Sequence, residues 1–235
     1  NLTPSSARAS LAALRKITSK PVSHVINTHW HDDHIIGNQV YREASPDVQF
    51  EGQATTRDDL PTIGAANRKL LLDRGPQLIT QLRLSVEQQK NMTGALLTDE
   101  ERVSYLSDAD ATERYVAEVP AWQIVLPTIV VTDRLTLTRG RRTIDVLFLG
   151  RAHTGADLVV HLPADHIVIA GDLVVSPVPL VGSTSHPLEF GAALDQLLAL
   201  KPAVIIPGHG PVMRDDSYVR QEQRMLASLK QQVEA

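Results

Sequence analysis

The chain has 235 residues, 43% hydrophobic and 21% charged, with a formal net charge of −4. That length leaves room for one large globular domain with its own core, and the acidic balance gives no electrostatic reason to expect a nucleic-acid partner. The absence of cysteine excludes disulfides and thiolate metal sites, and no run approaches the ~20 apolar residues that span a bilayer.

The opening NLTPSSARAS lacks the basic start and apolar stretch of a signal peptide, and a first residue Asn1 in place of Met reads as a trimmed chain or a fragment. The compartment stays open. Thr3-Pro4-Ser5-Ser6 reads as a helix start, with an amphipathic run through Lys16. Val22–Thr28 is a short apolar strand that runs directly into His29-Trp30-His31-Asp32-Asp33-His34. A short helix is expected over Gly37–Glu43, and a strand over Val48–Glu51.

From 54 to 119 the chain turns rich in Leu, Gln, Arg and Glu with apolar spacings of three and four. Thr98 and Glu101 fit a capping box. This stretch reads as a helical insertion within a single domain spanning 1–235. After Pro127 the pattern becomes β, with strands expected at Ile129–Val131, Leu135–Thr138, Thr143–Leu149, Leu158–Leu162 and Ile167–Ala170. Arg139-Gly140-Arg141-Arg142 reads as a solvated hairpin turn. A helix at Pro187–Leu200, a buried strand at Val204–Ile206 and an amphipathic helix at Ser217–Val233 complete an α/β layered chain.

The chemistry concentrates at strand ends. His29 and His31 are two apart, so on extended backbone both imidazoles point the same way and can converge on one ion. If the chain turns helical at once, Asp33 and His34 can face a second ion. His153, in Gly-Arg-Ala-His-Thr-Gly, Asp172, in Ala-Gly-Asp, and His209, in Pro-Gly-His-Gly, each are expected in a loop just past a strand, where α/β sheets place their sites. Asp32 faces away by spacing and is expected to buttress the site or meet solvent. Thr154 and Asp157 are expected to hold the His153 ring or brace its loop, and Trp30 to pack beneath the site. His24, His161 and His166 read as strand or surface residues. His186 follows the loop after Asp172 and is a candidate substrate contact.

In the order H-x-H-x-D-H, G-x-x-H-T, G-D, P-G-H-G, these motifs resemble the metallo-β-lactamase superfamily over almost the whole chain. The resemblance implies an αββα sandwich with two metal ions at one edge. One ion would take His29, His31 and His153; the other would take Asp33, His34 and His209, with Asp172 bridging. Family members normally begin with several strands that this sequence lacks before its first helix. The all-nitrogen and oxygen donor set suits two Zn2+, with manganese or iron as alternatives. A hydroxide shared by the two ions would attack a small-molecule substrate, with Asp33 orienting it and accepting its proton. The expected reaction is cleavage of an acyl bond of a lactam, lactone or thioester; Asp172 stands where many family β-lactamases have cysteine or serine, which resembles the thioesterase and lactonase branches and leaves lactam cleavage as a secondary activity. The alternatives are a phosphodiesterase or nuclease, an iron-dependent sulfur dioxygenase, and a non-enzymatic scaffold. Neither substrate nor oligomeric state is legible.

Overall fold

A computed structural model describes residues 3–234. In chain order the elements are α1 (Pro4–Arg15), β1 (His24–Ile26), α2 (Asp32–Ile35), α3 (Asn38–Ala44), β2 (Gln49–Gln53), α4 (Ala54–Asp59), a π-helical turn (Leu60–Gly64), α5 (Ala65–Gln88) and α6 (Asp99–Glu118). Then follow β3 (Ile129–Val131), β4 (Arg134–Arg139), β5 (Arg142–Phe148), β6 (Leu158–Leu162), β7 (Ile167–Val175), α7 (Pro187–Ala199), β8 (Val204–His209) and α8 (Ser217–Glu234). The fold is mixed α/β, as expected. The described residues form two compact units: 3–23, 31–48 and 60–125 in the first, and 24–30, 49–59 and 126–234 in the second.

The first unit is helical. Thr3 caps α1, accepting from the Ser6 N–H while the Ser6 hydroxyl receives the Thr3 N–H, an arrangement worth ~1 kcal/mol. Thr98 and Glu101 make the expected capping box on α6, at 3.1 and 2.8 Å. α5 and α6 cross closely because Gly75 has no side chain: a Cβ there would stand 2.5 Å from Val116 Cγ2. Between them Gln89 adopts a left-handed C-cap, and the Asn91 carboxamide accepts from the Thr93 and Ala95 N–H groups. α1 packs on α3.

The second unit holds both sheets. One is parallel, ordered β1-β2-β3; the other is ordered β4-β5-β6-β7-β8, antiparallel except for the parallel pair β7–β8. Val131, Val146 and Leu158 are buried, with the half-buried Ile26, Leu135 and Phe148 packed against them, side chains contributed by both sheets. The larger sheet's other face packs on α7 and α8 through Leu173, Phe190, Leu194, Leu197, Ile205, Val219 and Leu226. Here strands bury both faces, which is why β7 reads as a continuous apolar run.

Three expected strands need their limits corrected. The strand expected at Val22–Thr28 is hydrogen-bonded over three residues only. The strand expected to stop at Ala170 continues to Val175, and the one expected to stop at Ile206 continues to His209. β7 accommodates Asp172, Leu173 and Val174 between the pairs Gly171–Pro207 and Val175–His209, where β8 has Gly208 alone. This bulge hid the continuation from a reading based on strict alternation.

Candidate metal centre

The bulge in β7 decides where Asp172 goes. Gly171 takes a left-handed backbone (φ +54°), and a Cβ there would lie 2.7 Å from Thr28 Cβ, so both the conformation and the space call for glycine. On the other side, a Cβ on Gly208 would fall 1.9 Å from Asp172 Oδ1. The carboxylate thus occupies the space that a side chain at 208 would need. Around its other oxygen, Oδ2, stand three imidazole nitrogens of the same unit: His153 Nε2 at 3.5 Å, His209 Nε2 at 3.6 Å and His29 Nε2 at 3.9 Å. The rings of His29 and His153 meet edge to face, centroids 5.0 Å apart. His29, His153 and Asp172 are buried; His209 is 45% exposed at its side chain and forms the accessible side.

The ring orientations follow from what holds each Nδ1. His153 Nδ1 is 2.9 Å from the Leu180 carbonyl, which can only accept. A neutral ring therefore carries its hydrogen on Nδ1 and its lone pair on Nε2. Thr28 Oγ1 lies 3.2 Å from His29 Nδ1 and can fix that ring in the same way. The nitrogen–oxygen separations exceed normal hydrogen-bond lengths. They approach the ~3.4 Å that separates two ligands on one tetrahedral ion with ~2.1 Å bonds. Buried imidazole lone pairs gathered about a buried carboxylate make a cluster able to hold a metal ion, and the donor chemistry fits one.

In the other unit, α2 begins at Asp32 with the extended residue His31 as its N-cap. The chain turns helical directly after His31, the condition set above for Asp33 and His34. Within that turn Asp33 Oδ2 lies 3.0 Å from His34 Nε2. Asp32 is not solvent-exposed, one of the two expectations for it. Arg68 donates to its Oδ1 at 2.8 Å and the Tyr115 hydroxyl donates to its Oδ2.

Asp172 and His209 lie within strands β7 and β8, against the expectation that every candidate ligand sits in a loop past a strand; the bulge and the extended pairing are the reasons. His153 does lie in a loop. Of the two roles weighed for Thr154 and Asp157, the structure gives them the loop: Asp157 accepts from the Thr154 N–H and hydroxyl, both at 2.8 Å, and Thr154 Oγ1 accepts from the Ala156 N–H at 3.1 Å. Burial pushes the Asp157 carboxyl above its ordinary range, opposed by the Thr154 donors and by His153. Trp30 is buried. His186 precedes α7, donates its N–H to the Ala152 carbonyl at 2.7 Å, and sets its Nε2 near Gly155.

His161 lies on β6, and His166 follows it in a left-handed turn. His24 sits on β1 with Nδ1 2.5 Å from Glu51 Oε1, and the Arg139 guanidinium contacts its Nε2. Burial raises the Glu51 carboxyl; the His24 hydrogen bond and charge oppose that. Sequence reasoning missed the Leu180 carbonyl, which no residue type announces, and the Asp32 partners, which lie 36 and 83 residues away.

With this geometry in place, similarity to known proteins becomes informative. The family model described as the metallo-beta-lactamase superfamily matches residues 2–209. The chain belongs to the metallo-β-lactamase superfamily. A linear primary-alkylsulfatase of Pseudomonas sp. (strain ATCC 19151) is 26% identical over 228 residues, covering 93% of this chain and 40% of the alkylsulfatase. The chain thus spans well under half of that relative's length. Among solved superfamily structures, the metallo-β-lactamase from Pontibacter korlensis is 19% identical with a TM-score of 0.58, covering 94% of this chain and 76% of that one. TMB-1 gives a TM-score of 0.64 at 13% identity, with 97% and 78% covered. Metallo-β-lactamase IND-7 gives 0.60 at 17%, with 94% and 75% covered. At these identities the structural likeness establishes the fold. Among the described residues, no helix is long and apolar enough to cross a membrane.

Proposed function

We propose that this chain is a metal-dependent hydrolase that cleaves an acyl bond of a small molecule: a lactam, lactone or thioester. The observation that carries the reading is the set of three imidazole nitrogens 3.5–3.9 Å from Asp172 Oδ2. His29, His31 and His153 would hold one zinc ion, and Asp33, His34 and His209 a second, with Asp172 serving both. Bound ions would supply Lewis acidity, polarising the scissile oxygen and lowering the pKa of the attacking water toward ~7.

The chain's own groups supply the rest. Asp33 is the proton acceptor for that water, its carboxylate held beside His34. The Leu180 carbonyl keeps Nε2 of His153 free of hydrogen, and the Thr28 hydroxyl, by accepting from His29 Nδ1, does the same for His29 when a metal takes the Nε2 lone pair. His209 marks the open side, where substrate enters. His186, beside the His153 loop, contacts the substrate.

A second reading is sulfate-ester cleavage, favoured by the 26% identity to the alkylsulfatase over nearly the whole chain. Its distinguishing requirement is a site that accepts a tetrahedral anion at the reacting centre. The test is a hydrolysis panel on zinc-loaded protein: a lactam, an acyl-homoserine lactone, a thioester, a phosphodiester and a primary alkyl sulfate. Metal analysis accompanies it. Acyl cleavage abolished in His153→Ala supports the first reading, and alkyl sulfate cleavage alone selects the second. One iron per chain with no hydrolysis refutes both.

A further inference from the structure

Asp32 stands between two proposed ligands yet turns away from them to a buried cation. Arg68 of α5 donates to its Oδ1 at 2.8 Å, and Tyr115 of α6 donates its hydroxyl to Oδ2. The Asp32 and Arg68 side chains are 10% and 11% exposed. The guanidinium lies over the Trp122 ring, 4.0 Å from its centroid. Burial, and then the Asp32 hydrogen bond, push the Tyr115 hydroxyl far above its ordinary range, so it stays a donor.

The need for such an anchor is local. α2 is a four-residue helix whose N-cap, His31, makes no side-chain cap. A single turn is not stable alone, since nucleation fixes several dihedrals for one hydrogen bond. Its backbone bonds are His34 N–H to the His31 carbonyl and Ile36 N–H to the Asp32 carbonyl, both at 3.0 Å. The helices that grip Asp32 are packed against each other at Gly75 and Val116.

We infer that Asp32 is a positioning residue: through Arg68 and Tyr115 it fastens the single turn α2 to the α5–α6 pair, and so presets the Asp33 and His34 side chains for their ion. The inference rests on the proposed ligand roles of Asp33 and His34. Every group in this anchor lies in the first unit.

The test measures zinc stoichiometry and the affinity of each ion by chelator competition on the full chain. The variants are Tyr115→Phe, Asp32→Asn, Arg68→Lys and Arg68→Ala, each with a melting curve of its metal-free form. Tyr115→Phe removes one donor and keeps the ion pair, so it remains informative if Asp32→Asn folds poorly. The expected result is a loss of about 10–100-fold in affinity for one ion in Asp32→Asn. Tyr115→Phe should lose less, the other ion should bind as in wild type, and Arg68→Lys should recover part of what Arg68→Ala loses. Equal weakening of both ions in step with a lowered metal-free melting temperature would make the network a general folding element and overturn the inference. Two ions bound with wild-type affinity in both Asp32→Asn and Tyr115→Phe would overturn it alone, leaving the ligand assignment standing. A wild-type protein that takes up no zinc would remove the ligand assignment and the positioning role together.

Discussion

Replacing Glu222 with glutamine isolates a carboxyl that α8 buries at 2% exposure, neither oxygen having a hydrogen-bond partner. Burial pushes its pKa from 4.5 up to about 8. The folded chain therefore holds this proton more tightly than the unfolded chain. Its contribution to stability is fullest below pH 4.5 and declines as pH rises toward 8. At about 1.4 kcal/mol per unit, the whole gap bounds the loss at about 5 kcal/mol, of which about 3 has accrued by pH 7. Glutamine has nearly the same shape and no such titration. Urea unfolding of both proteins in chelator at pH 5.5 and 7.5 should give a stability difference that moves in favour of the variant by about 2–3 kcal/mol across that range. A difference independent of pH would refute the reasoning, because the buried proton would then be absent.

Gly208→Ala puts a methyl 1.9 Å from Asp172 Oδ1 and 2.8 Å from the Gly171 carbonyl carbon; zinc uptake should collapse, with a stability loss of roughly 1–3 kcal/mol or more, checked by metal analysis and urea titration. Asp157→Ala strips the acceptors from the Thr154 N–H and hydroxyl and should cost roughly 2–4 kcal/mol, read by chemical denaturation of the metal-free protein. Removing metal with a chelator should lower stability by about 4 kcal/mol when free zinc stood ~1,000-fold above its dissociation constant; a melting curve unmoved by chelation would count against a resident ion.

Short-range chemistry made much of this legible. The helix start at Thr3-Pro4-Ser5-Ser6 and the capping box of Thr98 and Glu101 are read from local residue types alone and are formed as read. Ile129–Val131 and Leu158–Leu162 are strands at the expected limits, being β-branched runs bounded by turns. The motifs carrying His29, His153, Asp172 and His209 led to a cluster about one carboxylate. What escaped was non-local or without side-chain identity. The β7 bulge depends on Thr28 and Gly208, far away in sequence. The Leu180 carbonyl is common to every residue type. Asp32, read only by its alternation, gave no sign of an arginine and a tyrosine on distant helices.

The contact between the bare α-carbon of Gly208 and the Asp172 carboxylate also limits how this protein can be remodelled. With position 208 closed to every side chain and 171 held to a glycine backbone, the floor of the cluster has no adjustable residues. Efforts to redirect specificity should therefore draw on segments at the rim, such as the run from Pro177 to Ser185. Its Val178, Leu180 and Val181 are already open to solvent, and Leu180 meets His153 through its carbonyl, so these three side chains can be exchanged without removing that contact, whereas Ser185, whose hydroxyl donates to the His153 carbonyl, has to be kept.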